Sequence, residues 1–87
     1  MNNNKRLRFH AKKRALERYY IKIPNMILRE MEKQIEQNIN VLQRIRETTS
    51  RSMVLFKYDE HIYKVIYSRK LNKIITFLPI RNNDAAK

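Results

Sequence analysis

The sequence predicts an α+β fold, two helices followed by an antiparallel sheet of three or four strands. Three observations predict it. The apolar period changes from 3.6 to 2 after Asn38-Ile39-Asn40. The helical patterns are grouped ahead of the strand patterns rather than alternating with them, which argues against a parallel α/β sheet. The links between strand patterns are short and built from turn formers, which suits antiparallel pairing. At 87 residues the chain has room for one small core. It is therefore read as a single domain, 1–87, with residues 1–6 and 82–87 as polar tails.

Each element has its own signal. The first helix runs from about Leu7 to Tyr19 or Tyr20. Ile21 to Pro24 is an extended connection, because the residue before a proline is pushed out of the helical region. Asn25 is a fair N-cap for a second helix over 26–40. Its apolar positions Ile27, Leu28, Met31, Ile35 and Ile39 make one face, and its charges nearly balance, so it reads as scaffold over the sheet. Val41 to Thr48 is a first strand with poor alternation. Arg51 to Tyr58 is a second, Asp59-Glu60 a tight turn, and His61 to Ser68 a third strand. Arg69 to Asn72 is a turn, and Lys73 to Ile80 a last strand ended by Pro79.

Composition narrows the function. There are 20 Lys and Arg against 8 Asp and Glu, a net charge of +12, and a sequence pI of about 10.4. That balance favours a polyanionic partner, nucleic acid first. No run of about 18 apolar residues exists to cross a membrane, and no apolar stretch follows the basic start as in a secretory signal. Cysteine is absent, which removes disulfides and thiolate chemistry and fits a cytoplasmic location. Glycine is also absent. That excludes the glycine-rich phosphate loops and leaves Asn, Asp, Ser and Lys to make the turns.

The informative stretch is Phe9-His10-Ala11-Lys12-Lys13-Arg14-Ala15-Leu16-Glu17-Arg18-Tyr19. On a helix, His10, Arg14, Glu17 and Arg18 share one arc, with Lys13 at its edge. Arginine offers a fixed fork of donors to phosphate oxygens, and histidine is the side chain whose proton moves near neutral pH. The plainer reading is a solvated basic face. His61, beside a turn, carries less weight. Two distant histidines and no cysteine give no zinc pattern, and no carboxylate pair or serine triad is evident.

What remains is metal-independent, cofactor-free chemistry on RNA, whose 2′-hydroxyl is its own nucleophile. Such a site needs a base, an acid and cations to hold the phosphate. His10, Arg14, Arg18 and Thr76 are the catalytic candidates. Thr76 is the polar residue in the apolar run Ile74 to Leu78, although threonine is also an ordinary strand residue. Lys13, Arg44, Arg46, Lys57, Tyr58 and Tyr67 are the candidates for holding nucleic acid. Tyr63 and Tyr67 share a strand face, where they either stack on bases or pack under a helix.

The motif His10-Ala11-x-x-Arg14-x-x-Glu17-Arg18, with Ile74-Ile75-Thr76-Phe77-Leu78-Pro79 near the end, resembles a group of small bacterial and phage domains. These open with an H-A-x-x-R-x-x-x-R helix and close with a strand near I-I-T-x-x-P. That group is similar to the RelE, barnase and colicin-type ribonucleases, which act without a metal. The resemblance covers roughly residues 9–80, including the Tyr- and Val-rich hairpin. It implies a cleft lined by His10, Arg14 or Arg18, a basic residue on a middle strand, and Thr76. One departure stands out: these folds commonly place glycine after the first helix, where this chain has Tyr20. Three functions follow as expectations. The first is a toxin-like endoribonuclease acting on free RNA or the ribosome. The second is a nucleic-acid-binding module without catalysis. The third is a domain that binds an acidic host protein or antitoxin.

Overall fold

The structure, a computed structural model, describes residues 3–80, with side chains from Arg8 onward. Six elements follow in order: α1 (Asn3–Tyr19), α2 (Asn25–Glu36), β1 (Val41–Arg46), β2 (Arg51–Tyr58), β3 (His61–Ser68) and β4 (Lys73–Leu78). The strands form one antiparallel meander in the order β1-β2-β3-β4. The α+β class is the one expected, with four strands. The expected tail at 82–87 lies outside the described residues. At the other end α1 begins at Asn3 and takes in most of the segment read as a tail, since no proline or glycine interrupts it there.

The second helix is shorter than its apolar period suggests. It ends at Glu36, not near 40. Asn38 turns left-handed at φ 59°. Its N–H donates to the Ile35 carbonyl, and that of Ile39 donates to the Gln34 carbonyl. This is the paired C-terminal closure usually made with glycine, and it leaves Ile39 about half exposed. At the other end Pro24, not Asn25, is the N-cap, and no side chain caps the helix. Proline's fixed φ sets the entry, and the Leu28 N–H still reaches the Pro24 carbonyl.

The other left-handed positions show how a glycine-free chain turns. Tyr20 ends α1 at φ 56°, its N–H donating to the Leu16 carbonyl. Asp59 and Glu60 both have positive φ, the geometry of a two-residue hairpin whose twist matches its strands. Asn40 and Asn72 supply the remaining two.

The core lies between the helices and one face of the sheet. Leu28, Met31 and Ile35 of α2, Ala11 and Ala15 of α1, and Ile23 meet Val54, Phe56, Tyr63, Val65, Tyr67, Ile74 and Phe77. Helix α1 packs along β4, the sheet's outer strand, and its two alanines allow the close approach. Side chains then satisfy the backbone of β4. Arg18 donates to the Phe77 carbonyl at 3.1 Å, and the Ile74 N–H donates to Glu32 at 2.9 Å. An edge strand that would otherwise invite pairing is thereby closed. Among the described residues no helix packs on the opposite sheet face, although Leu55 on it is only 5% exposed. Strand alternation places Ile45, Met53, Leu55, Lys57, Lys64, Ile66, Thr76 and Leu78 there.

Candidate nucleic-acid interface

Helix α1 has three faces. Ala11 and Ala15 are fully buried. Arg8 and Tyr19 flank them toward α2 and the core: Arg8 pairs with Glu32 at 3.1 Å, and the Tyr19 ring packs on Tyr63 and Phe77. On the other flank lie Arg18, Arg14 and then His10, by the 100° step of the helix. Because Arg8 and Tyr19 turn toward the core side of β4, this second flank borders the uncovered side of the sheet. Phe9, Lys13 and Leu16, all exposed, make the third face with half-buried Lys12.

The expected catalytic residues fall as follows. His10 is exposed, one turn before Arg14. Arg14 is paired with Glu17 at 2.7 Å, with both side chains substantially in solvent. An exposed pair of this kind holds by at most about 1 kcal/mol, so a phosphate can compete for the guanidinium. Arg18 is anchored on Phe77. That bond is its structural duty, and it also fixes α1 against the strand carrying Thr76. Thr76 pairs with Ile66 while its neighbour Phe77 pairs with Val65 of the core. Thr76 therefore sits on the uncovered face, at the border with the Arg14–Arg18 flank. Arg18 and Thr76 thus lie at neighbouring positions, while His10 stands about two turns earlier on the helix.

The residues expected to hold nucleic acid divide. Lys13 and Arg46 are exposed. Lys57 is exposed on the uncovered face, 3.4 Å from Glu60. Arg44 is committed elsewhere: it donates to the Ile35 carbonyl at 2.6 Å and fastens β1 to the end of α2. Tyr67 is a correction. It is 1% exposed, its hydroxyl 3.3 Å from the Asn72 side chain, so its ring offers no face to a base. Tyr63, on the same face of β3 beyond Val65, is buried as well. Tyr58 is half-buried and donates to Glu30.

The phenols of Tyr58, Tyr63 and Tyr67 stay protonated at neutral pH. The bond to the Glu30 carboxylate, helped by burial, pushes Tyr58 up to about 12. Burial, reinforced by Glu36 and Glu32, pushes Tyr67 up to about 12 as well. Burial also raises Tyr63. His61 lies at the far end of the sheet, in a cleft of about 540 Å³ with Tyr58, Asp59, Lys22 and Ile27.

Two residues escaped the sequence reading. Lys64 stands on the uncovered face between Leu55 of β2 and Leu78 of β4. Its signal was parity, since it alternates with the core residues Tyr63 and Val65. Glu32, one of the nearly balanced charges of the second helix, is 5% exposed and binds both Arg8 and the Ile74 N–H. Its signal was its position one turn from Leu28, at the margin of the apolar face.

Among the described residues, no group of three or more His, Cys, Asp or Glu side chains is placed to hold a metal ion, and no helix is long and apolar enough to cross a membrane. Fold and composition together define a small basic α+β domain, two helices with a four-stranded antiparallel sheet and a net charge of +12. No family model, no curated protein and no solved structure matches the chain.

Proposed function

We propose that this protein is a small metal-independent endoribonuclease that binds single-stranded RNA where the His10–Arg14–Arg18 flank of α1 meets the uncovered face of the sheet. The observation that supports the reading is the bond from Arg18 to Phe77, the chain neighbour of Thr76, with Arg14 and His10 one and two turns earlier on the same flank of α1. His10 is the proton-transfer group. It takes the proton of the 2′-hydroxyl as that oxygen attacks the adjacent phosphorus, and the 5′-oxygen leaves with a proton from solvent. Arg14, released from Glu17, and the outer nitrogens of Arg18 stabilise the charge that builds on the phosphate. Thr76 offers a hydroxyl to the same phosphate. Lys57 and Lys64 hold neighbouring phosphates along the sheet. The reading agrees with the resemblance of the two motifs to those of the RelE, barnase and colicin-type ribonucleases.

One observation favours binding without cleavage as a second reading. Arg14 and Arg18 each already have a protein partner, and Lys57 pairs with Glu60, so these cations meet RNA only by exchange. The two readings separate on purified protein incubated with total RNA and tRNA in the presence of chelator. The ribonuclease reading expects cleavage, slowed about 100-fold or more in His10→Ala. Intact RNA with a gel shift that weakens steeply with salt gives the binding reading instead.

A further inference from the structure

The third face of α1 takes no part in that site, yet it carries more exposed apolar surface than a solvated helix face needs. Phe9 is 70% exposed and Leu16 is 53% exposed. With Ile23 and Pro24 of the connection they form the floor of a groove of about 680 Å³, and its remaining lining residues are Lys12, Lys13 and Lys22. Among the described residues no carboxylate lines it. Tyr20, between Leu16 and Lys22 in the chain, is 89% exposed and stands at φ 56°, where a side chain with a Cβ is strained. A large aromatic has been put in solvent at a position that glycine would occupy without strain.

We infer that this groove docks an acidic amphipathic helix of a partner protein. The chemistry favours that occupant over nucleic acid. Leu16, Ile23 and Pro24 give a mainly aliphatic floor with one aromatic ring in it, whereas bases need flat aromatic faces to stack on. Its cations are all lysines, which suit single carboxylates. The arginines, whose forks suit phosphate, lie on the other flank of α1. A concave floor also fits a ridge of side chains better than the plane of a bilayer. Apolar residues of the partner spaced i, i+3, i+4 and i+7 enter the groove, and its Glu and Asp residues meet Lys12, Lys13 and Lys22. The inference stands apart from the RNA reading, since Leu16 and Lys22 touch nothing in that site.

The test uses the full chain and a dye-labelled synthetic peptide of about 18 residues, Leu and Glu in amphipathic helical order. A permuted peptide of the same composition is the control, and binding is read by fluorescence anisotropy. We expect saturable binding of the ordered peptide and a loss of roughly tenfold or more in affinity in Leu16→Ser and in Phe9→Ser. We expect a similar loss in Lys12→Glu with Lys22→Glu, and no change in RNA binding by Leu16→Ser. Thermal unfolding confirms that each variant is folded. Equal binding of the permuted peptide would overturn the proposal, as would an unchanged affinity in Leu16→Ser. Absence of peptide binding would also overturn it. If binding of oligouridine or of phosphatidylglycerol vesicles were instead lost in Phe9→Ser, the surface would belong to nucleic acid or lipid.

Discussion

The Tyr19 hydroxyl donates to the Leu78 carbonyl at 2.6 Å. The same oxygen accepts from the Lys64 N–H at 2.9 Å. Lys64 and Leu78 face each other across β3 and β4, so α1 inserts a side chain into the end of the ladder. Tyr19→Phe keeps the ring on Tyr63 and Phe77 but strands one donor and one acceptor. It should cost about 1–3 kcal/mol in urea unfolding. An unchanged midpoint would mean that water replaces the hydroxyl at no cost.

Glu32 joins three elements through Arg8 and Ile74. The Arg8 and Glu32 side chains are 13% and 6% exposed, so removing one partner leaves a poorly solvated charge. Glu32→Ala should destabilise by about 3–5 kcal/mol. Glu32→Gln retains an acceptor for the Ile74 N–H and should recover part of that loss. Equal effects of the two substitutions in denaturant titrations would assign the whole contribution to charge.

Tyr20→Gly removes the clash of a Cβ in the left-handed region. It should raise stability by about 1 kcal/mol. Tyr20→Ala keeps the Cβ and should gain nothing. A destabilised glycine variant would show that the tyrosine ring contributes more to the fold than its strain costs.

Alkaline pH should weaken the fold. Tyr58 and Tyr67 are held near 12 in the folded chain, against about 10 when unfolded. The folded state thus keeps these protons after the unfolded state has released them. Their contribution is complete below pH 10 and is lost as pH climbs from 10 to 12. Unfolding midpoints followed over that window should fall, and should fall less in Tyr67→Phe than in the parent chain.

Much of the fold was legible because local signals agreed. The switch in apolar period at Asn38 to Asn40 marked where helix gives way to sheet, and Asp59-Glu60 and Pro79 marked strand ends. What sequence misjudged was decided by single residues or by distant partners. Ile39 extends the apolar period of α2, yet Asn38 turns left-handed and stops the helix first. Tyr67 has the composition of a stacking platform, and only the packing of α2 over the sheet buries it. Arg18 was read for its charge, whereas its bond reaches a carbonyl 59 residues away, which no local pattern contains. The candidate site divides the same way. The helical spacing of His10, Arg14 and Arg18 was readable, but which flank of α1 turns to the core is decided by the bonds of Arg8, Arg18 and Tyr19 to distant residues.

The most direct measurement compares single-stranded RNA with the same sequence in all-2′-deoxy form, in chelator, and looks for a 2′,3′-cyclic phosphate end. The account predicts that the RNA is cut to that end and that the deoxy strand stays whole though bound, because attack by the 2′-hydroxyl is the chemistry assigned to His10. Cleavage of the deoxy strand, or RNA cleavage undiminished in His10→Ala, would contradict it.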